Sequence, residues 1–168
     1  MRQALTFQGK QRAAAGSGRG ALHRVEPMSD HLWDVVTGAN LGTLATIKRD
    51  GRPQLSDINY TADPATRVLR ISTRAELAKV QNLRRDPRAS VKVTAPGGAG
   101  YAVAEGTASL SPVSADEHDA TVEELIEVYR LIGGKEHPDW DDYRRAMVAD
   151  GRLVLSVHVE KLYGWVMG

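Results

Sequence analysis

The chain has no cysteine among its 168 residues. Disulfide staples, thiolate metal ligands and cysteine nucleophiles are thereby excluded, and a reducing cytoplasm is the expected compartment. Also missing is any apolar run near the roughly 18–20 residues that a bilayer-spanning helix requires, so no membrane partner is expected. There is no GxxxxGK[ST] sequence, which removes support for nucleotide hydrolysis. His23, His31, His118, His137 and His158 show no HExxH or other close ligand spacing, which argues against zinc. Ser109 and Ser111 lie outside any GxSxG elbow, and nothing resembles the strand–helix alternation of a dinucleotide-binding domain.

What is present is ordinary globular material, 42% hydrophobic and 26% charged, enough for one domain. The net charge of +1 is unevenly spread. Residues 1–27 carry five basic residues against Glu26 alone, leaving residues 28–168 at −3. A mildly acidic body does not suit phosphate neutralisation, so no nucleic-acid partner is expected. The first 27 residues lack hydrophobic periodicity. They read either as a basic targeting or interaction tail or, more simply, as a disordered extension ahead of a domain spanning 28–168.

Hydrophobic patterning in that domain points to strands with interspersed helices. Ser29 and Asp30 can cap a short helix bearing Leu32, Trp33, Val35 and Val36, ended by Gly38. Leu41–Ile47 is a strand of small and apolar residues expected to be covered on both faces. Asp50-Gly51 supplies a hairpin turn, Pro53–Ala62 the returning strand and Arg67–Thr73 the next, in a three-stranded meander. Residues 74–86 read as a helix stopped by Pro87. Ala89–Ala95 alternates with a period of two, and 101–110 places Ala102, Ala104, Gly106 and Ala108 on one face. Ser114–Glu117 has the pattern of a capping box opening a helix, whose buried stripe is Val122, Leu125, Ile126 and Tyr129. Asp139, Asp141 and Asp142 open a second helix with Trp140, Tyr143 and Met147 on its apolar face, and 151–160 is the last strand. The expected fold is mainly β: a six-stranded antiparallel split β-barrel with helical caps.

Two constellations could carry chemistry. Gln54, Ser56, Asp57 and Asn59 crowd polar groups onto one strand, either to hydrogen-bond a planar heterocycle or simply as a solvated edge. Ser72 and Thr73 end a strand just before a helix bearing Lys79. Hydroxyls, a helix start and an early lysine can form a phosphate site. The alternative is an amphipathic helix whose Lys79, Arg84 and Arg85 are merely solvated.

The runs GTLATIKRDGRPQLSDINY, ISTRAELAKVQNLRRDPRASVKV, YAVAEGTASLSP and DWDDYRRAM, with the terminal LYGW, resemble the pyridoxamine 5′-phosphate oxidase-like split-barrel superfamily. Within it, the chain is similar to the B group of F420-dependent flavin/deazaflavin oxidoreductases. That resemblance implies a homodimer with cofactor sites at the subunit interface. It also implies coenzyme F420, a 5-deazaflavin with a phosphate and a polyglutamate tail, and hydride transfer to a small electron-poor organic acceptor. By resemblance Gln54, Ser56 and Asp57 lie beside the deazaflavin ring, and Ser72 and Thr73 approach the ribityl phosphate. Lys79 pairs with the phosphate, Asn82 lies nearby, and Tyr101 reaches the site from another strand or from the partner subunit. In the relatives a tryptophan stands two positions before that tyrosine, where this chain has Ala99. The C-terminal basic and histidine-containing motif of the pyridoxamine phosphate oxidases proper is missing, which disfavours vitamin B6 oxidation. The alternatives are an FMN-dependent enzyme of the same fold and a non-catalytic F420- or haem-binding protein.

Overall fold

The computed structural model describes residues 30–167. The readings of a disordered extension over residues 1–27 and of a Ser29/Asp30 cap fall on residues or side chains outside that description. In chain order the elements are α1 (Asp30–Thr37), β1 (Leu41–Ile47), β2 (Pro53–Asn59), β3 (Thr61–Asp63), β4 (Val68–Arg74), α2 (Ala78–Arg85) and β5 (Arg88–Thr94). After a short 3-10 turn come β6 (Gly100–Leu110), α3 (Ala120–Gly133), α4 (Trp140–Ala149) and β7 (Arg152–Val166). Among the described residues no helix is long and apolar enough to cross a membrane.

The seven strands form one antiparallel sheet in the order β2-β1-β5-β6-β7-β4-β3, a half-barrel of the split β-barrel type with helices attached. There are seven because the run expected as one strand over Pro53–Ala62 breaks at Tyr60. Residues up to Asn59 pair with β1, whereas Thr61 onward pairs with β4. The tyrosine is fully buried, its hydroxyl donates to the Val36 carbonyl oxygen (2.6 Å), and its N–H donates to the Asn40 carbonyl. Buried and pinned by these two bonds, it turns the chain from one rim of the sheet to the other. The expected three-stranded meander is corrected accordingly: β2 and β4 are not neighbours, since β1 gives its second edge to β5 and β4 gives one edge to β7.

The interior is filled by alternate residues of every long strand, including Leu44, Leu69, Ile71, Val91, Val93, Leu153 and Leu155, with Trp33 and Val36 of α1 inserted among them. In β1 only one face is fully buried, and Thr43 and Ala45 on the other are half-covered. Helices α3 and α4 lie on the outside of β4 and β7, where Val122, Leu125, Ile126, Tyr143 and Met147 enclose Val154 in a second core. Helix α2 begins at Ala78 rather than residue 74, because Arg74 still pairs with Arg152 in the sheet. The Ser114 cap is also corrected. Ser114 is buried with its hydroxyl on the Met147 carbonyl (2.8 Å), and Asp119 caps α3 by accepting from the Val122 N–H (2.8 Å). The carboxylate is better matched to the positive end of a helix than a neutral hydroxyl.

Gly106 is explained by a β-bulge. Glu105 faces Lys161 but Gly106 faces Val159, so β7 carries one extra residue, and a Cβ at position 106 would fall on the His158 carbonyl oxygen.

Candidate functional site

The split in the barrel is defined by missing strand partners. Among the described residues, strand β2 pairs only with β1, and residues 71–74 of β4 pair only with β7, because β3 reaches no further than Arg70. The two strands thus present unpaired backbone edges towards one another. Between them opens a cavity of about 500 Å³. Asp57, Ile58 and Asn59 of β2 line one side, Ile71 and Ser72 of β4 another, and Lys79 of α2 a third. Val128, Tyr129 and Ile132 of α3 roof it with Tyr143 and Met147 of α4, while Lys135 and Arg152 complete the wall.

The electrostatics are cationic. Three basic side chains line the cavity against one carboxylate, that of Asp57, which accepts from Thr43 Oγ1 (3.2 Å) at the rim. Lys79 is half-buried, and among the described residues no carboxylate lies within ion-pairing distance of it. Desolvation lowers its pKa from the usual lysine value. An amine held there without a counter-charge gains when an anion arrives. Arg152 is fixed in place, its Nε donating to Asp150 Oδ2 (3.2 Å) and Nη1 to Ser72 Oγ (3.2 Å). Tyr143 donates its hydroxyl to the Leu125 carbonyl oxygen (3.1 Å), and burial pushes its pKa up to about 12, so it stays neutral and committed to that bond.

The sequence-derived residues fall in four places. Asp57, Ser72 and Lys79 meet at the cavity. Gln54 and Asn82 lie on the other flank of α2, in an open groove that also holds Lys48, Arg49, Arg84 and Arg85. There Asn82 Nδ2 donates to Gln54 Oε1 (2.8 Å) and to Thr46 Oγ1 (3.1 Å). Ser56 shares the strand face of Gln54, opposite buried Leu44. Thr73 has the opposite parity to Ser72, and its hydroxyl is buried with no hydrogen-bond partner among the described residues. Tyr101 stands on the outer sheet face between Thr94 and Trp165, with β1 and β5 intervening before β2.

Arg152, Lys135 and Tyr129 escaped the reading of the sequence. Tyr129 read simply as part of a buried helical stripe, and its ring does pack edge-on against Tyr143 (5.2 Å between centroids). Arg152 carried a usable signal. It shares the parity of Val154 and Ser156, so it heads the strand face that α3 and α4 cover.

Residues 28–166 match the model of the pyridoxamine 5′-phosphate oxidase family, and the chain belongs to that family. Solved structures share the fold. A conserved hypothetical protein, Rv2991 from Mycobacterium tuberculosis, is 23% identical with a TM-score of 0.64, over 94% of this chain and 90% of that one. A protein called an F420 reductase is 20% identical with a TM-score of 0.57, over 77% and 94%. A FAD-binding protein from Mesorhizobium loti is 20% identical with a TM-score of 0.55, over 80% and 89%.

Proposed function

We propose that the protein is a homodimeric oxidoreductase that holds coenzyme F420 in the split of the barrel and reduces a small electron-poor organic acceptor. The observation that carries this reading is Lys79: a half-buried cation with no carboxylate partner, facing the same cavity as Ser72 at an unpaired strand edge. That combination suits a phosphate monoester or diester, which takes charge-assisted hydrogen bonds from an ammonium and neutral ones from a hydroxyl. The free backbone edge of β2 suits a planar ring bearing carbonyl and N–H groups, with Gln54, Ser56 and Asp57 on that strand. Arg84 and Arg85, beside Gln54 and Asn82, suit the anionic tail of the cofactor. When bound, the deazaflavin supplies a hydride, and a proton completes the reduction of the acceptor. The residues of this chain hold the ring, orient it and, under the α3–α4 roof, keep water from it.

The partner in this reading is a second copy of the chain. Leu41, Leu55, Tyr101, Tyr163 and Trp165 are exposed on the outer sheet face. A dimer formed through that face gives Tyr101 its place in the neighbouring protomer's site rather than its own. F420 is favoured over FMN by the sequence resemblance to the F420-dependent B group, and the F420 reductase among the fold's relatives agrees with that choice.

The test is a fluorescence titration with F420 and FMN side by side, using wild type and Lys79→Ala. Wild type binds F420 more tightly than FMN, and the substitution weakens binding by about 1–3 kcal/mol, the scale of a lost hydrogen bond to a charged group. An unchanged dissociation constant would remove Lys79 from the site, and tighter FMN binding would assign the cofactor to the flavin class.

A further inference from the structure

The cavity carries more positive charge than one phosphate needs, because Lys135 and Arg152 line it besides Lys79. Lys135 follows Gly134, which ends α3 in a left-handed conformation, and its stem crosses Gly133 with Cγ 3.7 Å from where a Cβ would stand. Among the described residues it has no ion pair. Arg152 shares the single carboxylate of Asp150 with Arg74, whose Nη2 lies 3.2 Å from it, so two guanidinium groups divide one negative charge. The same cavity is lined by the part-exposed Tyr129 and Ile132, with Val128 and Met147 buried behind them. A cavity whose lining combines apolar and cationic side chains recognises an amphiphile of matching shape.

We infer that the part of the cavity beneath α3 binds the hydride acceptor, and that this acceptor is an apolar ring compound bearing a carboxylate, seated on Tyr129 and Ile132 with its anionic end toward Lys135 or Arg152. This rests on the oxidoreductase reading only for the word acceptor; the binding site stands on the cavity itself. The division of labour follows from the geometry: Lys79 on α2 serves the cofactor's phosphate, and Lys135 at the end of α3 serves the carboxylate. Among the described residues neither has a carboxylate of its own to neutralise it.

The experiment is calorimetric titration of the full chain, without cofactor, with 1-naphthoate and with the neutral 1-naphthalenemethanol. The expected result is at least tenfold tighter binding of the acid. Lys135→Ala removes most of that preference and Lys135→Arg restores it. Lys135 is solvent-exposed and lies outside both helices, so its removal leaves the fold intact. Lys79→Ala leaves naphthoate affinity within about twofold while weakening F420. Equal binding of acid and alcohol would overturn the inference, as would indifference to Lys135→Ala. Loss of naphthoate binding in Lys79→Ala alone would overturn it too, by showing that the cavity has one anion station. Because these titrations contain no F420, their outcome is independent of the cofactor test above.

Discussion

Asn82 ties α2 to the β1–β2 hairpin, and its removal is the sharpest stability test of the site's framework. Its amide nitrogen donates to Thr46 Oγ1 at 3.1 Å and to Gln54 Oε1 at 2.8 Å, and its oxygen accepts from Arg85 Nη2 at 3.3 Å. Thr46 is 1% exposed and Asn82 7%, so water cannot readily replace the lost partner at that end. Gln54 and Arg85 are more accessible and resolvate. For Asn82→Ala, the Thr46 contact counts as a buried bond with its survivor left poorly paired, worth about 1–2 kcal/mol. The Gln54 contact adds about 0.5–1 kcal/mol, the ordinary net value of a hydrogen bond, and the Arg85 contact is discounted as exposed. The total is about 1.5–3 kcal/mol, which for a chain of this size lowers Tm by about 3–12 °C. Urea unfolding followed by circular dichroism measures it directly. Gln54→Ala serves as the control and costs at most about 1 kcal/mol, and the double mutant shows a coupling near that same ~1 kcal/mol. If Asn82→Ala lies within about 0.5 kcal/mol of wild type, the proposed network does not hold α2 in place and the reasoning fails.

Three further outcomes are expected. Tyr143→Phe strands the Leu125 carbonyl beneath the roof and costs about 1–2 kcal/mol in the same unfolding assay. Leu55→Glu or Trp165→Glu places a charge on the exposed apolar face and converts the proposed dimer to monomers in sedimentation equilibrium; monomeric wild-type protein would refute that proposal. The pH dependence has a definite sign. Glu127 is held below the ordinary glutamate value by its hydrogen bonds from Arg70, and Glu123 by that from Arg144. Their contribution is present above the unfolded-state pKa and is lost as pH falls through the lower folded value, so stability declines on acidification below the usual carboxylate range. Arg70→Gln flattens that decline modestly, because the Glu127 carboxylate is largely solvent-exposed, and an unaltered acid limb would exclude the pair as its source.

The sequence made the strands and helices legible because their periodicities differ, and the carboxylate caps at Asp139 and the stripe Val122–Tyr129 appear where period and capping require. The break at Tyr60 was not legible. Residues 53–62 alternate well enough for one strand, and only the distant Val36 carbonyl and the rival claims of β1 and β4 divide them. Ser114 misled for a similar reason: a helix-start pattern fits both Ser114 and Asp119, and the serine was captured by Met147 on another helix. At the candidate site, Lys79 and Ser72 were visible as a local strand–helix pattern. Their separation from Gln54 and Asn82 was not, because the side of α2 on which each residue emerges depends on how the helix is rotated against the barrel. Lys135 and Arg152, 17 positions apart, line one cavity through the packing of α3 and α4, a long-range event that no local motif records.

The single residue between β2 and β3 has a mechanical consequence. With Asn59 on one rim and Thr61 on the other, the gap between the rims is closed covalently at that end and can widen only away from it. The opening is therefore a wedge with its apex at Tyr60, and β2 and β4 can part only by swinging about that point, never by sliding bodily apart. Asn59, next to that apex, lines the narrow end of the gap, so a flat ring can reach further toward Tyr60 than a bulky tetrahedral group can.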